Sequence, residues 1–380
     1  MTVSKHVMAA GAFEIRLNSD VLPVPYSISD AFDINSYAFG HVLIIPSRVD
    51  PADFSDAQLL SLSVFTGIYQ VQRDRTTLRG MHASGWLGDG NGKGAIEEAA
   101  ITGTSTVANW ITALRPTSLA AGTVSASAAT LAWSTQLKTP RESIDYVVDA
   151  FGMEWEVTDQ LTLNVNTVAN LYGSTPTVIA TPWWDGRDNE LVGIRATFGN
   201  DSSAEDYTTR VFLVEQGGAP ASANGTATVF KDGQGNAVVV KRYVDGSATV
   251  TAGTGGTVAA GQVAQWDQID QHLTCTSDTF CAMADVRCGS TIYAYDPERN
   301  IYDTATQAHY GGDLVFPKSL RVQGIEMNVC DGMGVLFRDR DGVYTDLSDS
   351  VAWEAPGARL EVGAPQATLS EAMRRRGIRA

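Results

Sequence analysis

The run from Gly80 to Gly94 has the residue types of a ligand-binding loop, with closely spaced glycines, an Asp and an Asn. A phosphate-binding loop needs Gly five residues before its Gly-Lys pair and Ser or Thr after it, but Leu87 and Gly94 occupy those positions. A calcium loop that starts at Asp89 needs a carboxylate at its twelfth position, where the chain has Ala100. Because Gly, Asp and Asn favour tight turns, we interpret the run as a structural turn.

Nucleophilic catalysis would require a serine or cysteine beside a base. Neither the H-E-x-x-H metal motif nor the G-x-S-x-G elbow occurs, and Ser84 follows His82 and Ala83 instead of the required glycine. We interpret His82 as a strand residue rather than a base. The histidines are spread along the chain without metal-ligand spacing, at His6, His41, His82, His272 and His309.

Glycoside hydrolysis would require two carboxylates that face one cleft. The pairs that are close in sequence are Glu97 with Glu98, Asp145 with Asp149, and Glu154 with Glu156. Asp145 and Asp149 lie four apart on a predicted helix, opposite its apolar stripe. Glu154 and Glu156 flank Trp155 on a predicted strand and therefore share one of its faces. We expect both pairs to be solvated, and we predict that the chain is not an enzyme.

The cysteines also lack a recognisable metal pattern. Their spacing matches no zinc template of the C-x2-C type, so we predict single buried thiols and neither a metal nor another cofactor. They lie in the C-terminal third, at Cys275, Cys281, Cys288 and Cys330.

Adjacent tryptophans form the clearest candidate for an exposed binding patch. Trp183 and Trp184 lie in a loop-like segment from Pro182 to Asp188, with Arg187 close by. Such a pair could anchor a protein interface or stack on a sugar ring. Alternatively, one tryptophan could lie in the core and the other at its edge, and the sequence leaves these alternatives open.

Composition excludes several classes of function. The 380-residue chain has a net charge of −16, which argues against nucleic-acid binding because phosphate recognition needs clustered Lys and Arg. The segment from Met1 to His6 contains no apolar signal region, and no apolar run reaches the roughly 18 residues of a membrane helix. We therefore expect a soluble chain that folds in a cytosol without membrane insertion.

The strand patterns predict a mainly β fold. Hairpin turns are predicted at 232–236 and 339–342, and the segments 217–223 and 251–261 are predicted as mobile surface loops. The runs rich in β-branched and aromatic residues are 39–45, 63–73, 192–198, 210–215, 237–244 and 319–329.

Three helices are predicted from apolar periodicity and capping residues. The first presents Val107, Trp110, Ile111 and Leu114 on one stripe. The second begins after Thr139, with Pro140 as its first residue and Glu142 completing a capping box, and it ends at Gly152. A strand pair at 153–157 and 161–165 follows, joined through 158–160. The third helix is predicted for 263–273.

Four segments resemble the tail-hub, or minor tail, proteins of long-tailed, siphovirus-like phages that infect actinobacteria. None of them is a catalytic signature, and together they lie within residues 78–355. The first seventy residues and the basic tail lie outside the resemblance. The segments are GMHASGWLGDGNGKG from Gly80, TPRESIDYVVDAFGMEWEV from Thr139, DYTTRVFLVEQG from Asp206 and GMGVLFRDRDGVYTDLSDSVAWE from Gly332.

The resemblance implies two tail-tube-like β-barrel domains that carry smaller inserted α+β domains. On this basis we expect residues 1–95 to begin the first barrel, 96–190 to be an inserted α+β region and 191–250 to continue the barrel. Residues 251–365 would form the second barrel and C-terminal strands, followed by a basic tail at 366–380.

The resemblance also implies a structural role at the tail tip of a virion assembled in the host cytoplasm. Three copies would form a hub ring of six barrels that joins the tail tube to the tip proteins. The ring would surround the channel for the tape-measure protein and for DNA, which passes without specific binding. Expected partners are a distal tail or tube protein, the tape measure and central fibre or tip proteins. A receptor- or glycan-binding module is the main alternative, and a cell-wall hydrolase is a further one.

We expect the interface residues of such a hub to be exposed aromatic and arginine side chains. The basic C-terminal segment could dock on an acidic neighbour, or it could be a solvated terminus. The candidate interface residues are Trp86, Trp183, Trp184, Arg187, Arg374, Arg375 and Arg376.

Overall fold

The computed structural model shows a mainly β fold, as the strand patterns predicted. It describes residues 2–18, 41–74, 77–88, 101–135, 138–173, 175–187, 191–203, 208–215, 217, 220–225, 233–236, 238–247, 253, 255–266, 270–278, 286–299, 301–302, 317–338 and 342–363. Among these residues no helix is long and apolar enough to cross a membrane.

The helices and strands are numbered in chain order. The helices are α1 (Asp56–Leu62), α2 (Val107–Leu114), α3 (Pro140–Phe151), α4 (Val168–Tyr172) and α5 (Gly255–Trp266). The strands are β1 (Thr2–His6), β2 (Ala12–Arg16), β3 (His41–Ile45), β4 (Phe65–Asp74), β5 (Thr77–His82), β6 (Ile101–Thr106), β7 (Ala120–Val124), β8 (Thr130–Thr135), β9 (Glu154–Val157), β10 (Thr162–Asn166), β11 (Val178–Thr181), β12 (Gly186–Arg187), β13 (Val192–Arg195), β14 (Thr197–Ser203), β15 (Arg210–Val214), β16 (Ala221–Asn224), β17 (Lys241–Asp245), β18 (Asp270–Ser277), β19 (Thr291–Ala294), β20 (Lys318–Asn328), β21 (Gly334–Arg338), β22 (Tyr344–Asp346) and β23 (Ala358–Gly363).

The chain divides into two compact units. Unit 1 comprises Met1–Gly199 and Thr274–Ala380, and unit 2 comprises Asn200–Leu273. Strands β14 and β18 carry the chain across the two boundaries. The domain ranges expected from the resemblance are not tested by this division and stay a prediction.

A large sheet organises unit 1. Its main path runs β12-β13-β11-β19-β20-β1-β2-β5-β4-β3-β21-β22, and β23 pairs with β20 at the side. The described strands do not close into a barrel. Gly11 lies so close to β1 that a Cβ atom would lie 1.7 Å from the carbonyl oxygen of Ser4, so only glycine fits at this turn between β1 and β2.

A smaller α+β layer follows in unit 1. It contains the antiparallel pair β6-β8, the sheet β7-β10-β9 and helices α2 and α3. The apolar stripe predicted for the first helix is confirmed, because all four of its residues are buried in α2. The capping box of α3 is confirmed as well: Glu142 accepts a hydrogen bond from the Thr139 amide at 2.7 Å, and its own amide donates to Thr139 Oγ1 at 3.3 Å.

The core of this layer joins the two helices to the β9-β10 hairpin. Trp155 is fully buried on β9 and belongs to the same hydrophobic core as Ile144 and Val148 of α3 and Trp110 of α2. Gly152 has φ +63° and ends α3 as predicted. The turn at 158–160 leads to Leu161, whose φ of +58° is uncommon for a residue other than glycine.

Unit 2 consists of a three-stranded sheet and one helix. Its strand order is β16-β15-β17, with β15 antiparallel to β16 and parallel to β17. Helix α5 packs Ala259 and Val263 against Val211 and Leu213 of β15. Glu215 accepts hydrogen bonds from the amides of Gly253 and Gly255, at 2.7 and 2.6 Å, and so caps the start of α5.

Several predicted boundaries in this region are wrong. The third helix was predicted for 263–273, but α5 spans Gly255–Trp266 and β18 begins at Asp270. The predicted loop at 251–261 therefore contains most of a helix, and the predicted loop at 217–223 contains the start of β16. Elsewhere the strands at 63–73 and 319–329 are confirmed as β4 and β20, and the 339–342 hairpin is confirmed by the pairing of β21 with β22.

Candidate functional site

A cavity of about 380 Å³ lies in unit 1 and is lined in part by the turn of the β9-β10 hairpin. Residues from distant parts of the sequence line it, including Lys5 of β1, His82 at the end of β5 and Asp159 in the hairpin turn. Lys5 Nζ donates a hydrogen bond to Asp159 Oδ2 at 2.6 Å and another to the carbonyl of Val64 at 2.7 Å. The α+β layer is therefore attached to the large sheet by an ion pair at this point.

Asp159 is the centre of this contact. Its Oδ1 accepts hydrogen bonds from the Thr66 amide at 3.1 Å and from His82 Nε2 at 3.2 Å. Its backbone carbonyl accepts a third from Thr66 Oγ1 at 2.6 Å. Burial raises the pKa of Asp159, but the charge of Lys5 and the hydrogen bond from His82 outweigh it, so that the pKa lies below its ordinary value. The carboxylate is thus held ionised.

The cavity also brings together a serine, a histidine and an aspartate. Ser84 Oγ lies 3.0 Å from His82 Nδ1, and His82 Nε2 lies 3.2 Å from Asp159. Nδ1 accepts a hydrogen bond from the Ser84 amide at 3.2 Å, so the neutral ring carries its proton on Nε2. Burial lowers the pKa of His82 against the effect of Asp159, which favours this neutral form.

Two features assign this trio a structural role. Ser84 is 3% exposed, and its Oγ donates to the carbonyl of Ala9 at 3.2 Å. His82 caps the 3-10 helix Ala83–Leu87 through the Ser84 amide. Nδ1 of His82 therefore binds the backbone of the 3-10 helix, and Nε2 binds Asp159 in the hairpin turn. A catalytic base, in contrast, must have a ring nitrogen within reach of a substrate.

Glu154 and Glu156 form further contacts of the layer, with the large sheet through Arg321 and with the segment before β19 through Arg287. We expected both carboxylates to be solvated, and this expectation is wrong. Glu154 is fully buried and receives two hydrogen bonds from the guanidinium of Arg321 on β20, one of them at 2.8 Å. Glu156 pairs in the same bidentate way with Arg287. The two glutamates do share one strand face, as the alternation predicted, but arginines of unit 1 cover that face.

Tyr172 at the end of α4 packs against both arginines. Its ring centroid lies 5.3 Å from Cζ of Arg321 and 5.5 Å from Cζ of Arg287. Gly289, with φ +92°, approaches so closely that a Cβ atom would lie 2.4 Å from the tyrosine ring. Burial, reinforced by Glu156, raises the pKa of Tyr172 well above its ordinary value. The tyrosine thus stays neutral between two ion pairs.

The third candidate pair of carboxylates is also partly engaged. Asp145 on α3 accepts a hydrogen bond from Trp155 Nε1 at 2.6 Å, so it is not simply a solvated residue of a polar helix face. It also lies 3.7 Å from Nε of Arg141. The side chain of Asp149, and Glu97 with Glu98, lie outside the described residues.

The two adjacent tryptophans have different environments. Trp183 is 56% exposed, and its ring meets Tyr295 edge to face at 5.8 Å. Trp184 is half-buried over Gly193, where a Cβ atom would lie 2.3 Å from its ring. Trp86 is half-buried against the core of the α+β layer and meets His41 edge to face. The side chain of Arg187 and the residues Arg374, Arg375 and Arg376 lie outside the described residues.

No protein-family model matches the chain, and no curated protein matches it in sequence. Solved structures do match. A tail protein from Neisseria meningitidis MC58 aligns over 96% of this chain and 91% of its own, with a TM-score of 0.55 and 13% identity. The 43 kDa tail protein of prophage MuSo2 from Shewanella oneidensis aligns over 96% and 93%, with a TM-score of 0.52 and 11% identity. The chain shares the fold of these tail proteins.

The cysteines differ in part from the prediction. Cys275 is a buried free thiol and Cys288 a half-buried one, and burial raises the pKa of Cys288 to about 12. Cys330, however, is disulfide-bonded, so the prediction of single thiols is wrong for this residue. Within the described part of the chain, no three His, Cys, Asp or Glu side chains are placed to hold a metal ion.

Sequence reasoning missed the central residue of this site. Asp159 was recognised only as part of a turn, and nothing local marks it as the partner of Lys5 or His82. No sequence signal was available, because Lys5 and Asp159 are 154 positions apart and only the fold brings them together. The ion pairs of Asp159 with Lys5 and of Glu154 with Arg321 hold the α+β layer against the large sheet.

Proposed function

We propose that this chain is a structural protein of a phage tail tip. The observation that carries the proposal is the fold likeness, which extends over nearly the whole chain and nearly the whole of each tail protein. The cavity around Asp159 supports it, because its ionisable residues bind one another and fix the α+β layer to the large sheet. In a protein that must transmit load between neighbours, such contacts keep two layers in a fixed relation.

The finer role follows from the sequence resemblance. On this proposal three copies form a hub ring between the tail tube and the tip proteins, around the channel for tape measure and DNA. The acidic balance of the chain suits such a channel, because a negatively charged wall repels the duplex. The barrel and insertion boundaries expected above belong to this proposal.

The candidate interface residues belong to it as well. Trp183 is the strongest of them, because a large aromatic side chain that is more than half exposed is typical of an anchor in a protein interface. Trp184 and Trp86 would support such a contact from half-buried positions. Arg187, Arg374, Arg375 and Arg376 would contact acidic neighbours.

Labelled-antibody imaging of phage particles tests this function. Serum raised against the chain, detected with gold, is expected to mark one end of a long tail. A particle without label anywhere would overturn the virion assignment. Serum against the major tail protein of the same particle provides the matched control, because it should label the whole tail length.

The exposed Trp183 also favours one alternative, a receptor- or glycan-binding module. The two proposals differ in the effect of Trp183→Ala. A receptor module would lose adsorption to the host while particles assemble normally, whereas a hub interface would lose incorporation into particles.

A further inference from the structure

The outer face of the unit 2 sheet combines exposed aromatic, aliphatic and basic side chains. On β15, the half-buried Arg210, Phe212 and Val214 alternate with the buried Val211 and Leu213, which face α5. Phe212 therefore lies on the side of the sheet away from the helix. On β17, Tyr243 is in register with Phe212 and is 66% exposed. We call Arg210, Phe212, Lys241 and Tyr243 the outer face.

Apolar exposure in the described part of the chain is concentrated here. Only seven large hydrophobic side chains are exposed among the described residues, and Val238, Val239 and Tyr243 account for three of them within six positions. Scattered exposed apolar residues are normal, but a cluster beside aromatic residues marks an interaction surface. Strand β17 also has a neighbour on only one side among the described strands.

Two of the three charged side chains on this face of β15 and β17 are basic, in a chain of net charge −16. Arg210 and Lys241 are in register on neighbouring strands, so two positive charges lie side by side. Neither of them is paired with a carboxylate within the described residues. Asp245, the acidic residue of the same strand face, bonds Ser247 instead. Like charges in this arrangement repel, and an anionic partner relieves that repulsion.

We propose that the outer face binds an acidic surface on a second copy of this chain. This inference rests on the proposed ring of copies and names the surface that closes it. The chain carries 43 acidic and 27 basic residues, so its own surface supplies the complementary charge. A two-fold contact would place Arg210 and Lys241 against their counterparts, which disfavours it. The contact is therefore between different surfaces of successive copies, and such contacts build rings.

A protein partner fits the outer face better than a nucleic acid does. Single-stranded nucleic acid is bound by aromatic residues within a groove of many cations, whereas the outer face has aliphatic residues at its side and two cations in a chain of net charge −16. Interface centres are typically rich in tyrosine and arginine and are surrounded by polar groups.

The test is the mass of the full-length chain in solution, measured by sedimentation and light scattering over a range of concentrations. We expect a trimer of the 40.5 kDa chain. Tyr243→Ser and, separately, Lys241→Glu should each weaken association by about tenfold or more, as for an interface hot spot. Val343→Ser removes an apolar side chain of similar exposure in unit 1 and should leave association unchanged.

The salt dependence and a DNA control complete the test. Association should weaken with ionic strength in the native chain and less so in Lys241→Glu, because exposed charges are screened. Unchanged mass in both outer-face variants would overturn the inference while leaving a tail role intact. A native chain that is monomeric at every concentration would overturn it as well. Binding of a labelled single-stranded oligonucleotide that Lys241→Glu abolishes, with the mass unchanged, would assign the face to nucleic acid instead.

Discussion

Lys5 Nζ lies 2.6 Å from Asp159 Oδ2, although 154 positions separate the two residues in the sequence. Lys5 belongs to the first strand of the large sheet, and Asp159 belongs to the turn of the β9-β10 hairpin. Their side chains are only 18% and 16% exposed, so the ion pair is shielded from solvent. An ion pair in this setting fixes the position of the α+β layer more than it adds net stability, because desolvation offsets much of the attraction.

Replacing Asp159 by Asn should release the hairpin from the sheet. The substitution leaves Lys5 without its counter-charge and should lower the free energy of unfolding of unit 1 by about 2–4 kcal/mol. Hydrogen exchange should speed up first at the 154–166 hairpin. Asp278→Asn is the matched control, since Asp278 is 85% exposed and its change should cost little. Equal protection of the hairpin in both variants would refute the role assigned to Asp159.

Stability should also depend on pH through His82. Burial holds the folded-state pKa of this histidine below its ordinary value of 6.5, so below that pH the unfolded chain binds more protons than the folded one. The stability is thus complete above pH 6.5 and is lost as the pH falls toward the folded-state pKa. The slope for one proton cannot exceed about 1.4 kcal/mol per pH unit.

Urea unfolding of the native chain and of His82→Gln, measured at several pH values, tests this dependence. The variant should be less stable at pH 7.5 and should show a flatter curve between pH 7 and pH 5. Protonation of Asp159 should lower the free energy of unfolding further at more acidic pH, because its folded-state pKa lies below the ordinary value of 3.8. Curves of equal slope between pH 7 and pH 5 would contradict the assignment to His82.

Features that depend on interactions between residues close in the sequence were predicted correctly. The stripe of α2 and the capping box of α3 depend on residues three or four apart, and both were predicted correctly. The pairing of Glu154 with Arg321 spans 167 positions, so strand alternation could place the glutamate on a face but could not reveal what covers it.

The misplaced helix in unit 2 has a physical cause as well. Residues 253–262 are rich in Gly and Thr, which have low helix propensity and are common in loops, yet α5 begins at Gly255. Its start is stabilised by Glu215, 40 positions away, whose carboxylate accepts the amide of Gly255. Tertiary capping and burial of Ala259 and Val263 outweigh the weak intrinsic propensity of this segment.

The buried pair of Glu154 and Arg321 gives a third prediction. Glu154→Gln alone leaves a buried guanidinium with a neutral partner and should cost about 3–5 kcal/mol of unfolding free energy. The double variant Glu154→Leu with Arg321→Met should be clearly more stable than either Glu154→Leu or Arg321→Met alone, because no uncompensated charge remains. A double-mutant cycle from thermal unfolding measures the coupling. Additive effects of the two changes would show that the residues do not stabilise each other.

The two tryptophans should respond differently to truncation. Trp184→Ala removes a ring that packs over Gly193 and should lower the melting temperature of the chain. Trp183→Ala removes a mostly exposed ring and should leave the melting temperature nearly unchanged while reducing the amount of the chain in purified particles. Calorimetry and quantitative blotting of particles measure the two effects. Normal incorporation of Trp183→Ala would remove this residue from the hub interface.

Truncation after Leu369 tests the basic tail. The deleted segment contains Arg374, Arg375, Arg376 and Arg379 in a chain that is otherwise acidic. If these arginines dock on an acidic neighbour, the truncated chain should fold with an unchanged melting temperature but enter particles less efficiently. Replacing the four arginines by lysine should largely restore incorporation if charge alone is recognised, whereas replacement by glutamine should not. Because the truncated and native chains differ only in this tail, normal particle yields from the truncated form would show that the arginines contribute nothing to assembly.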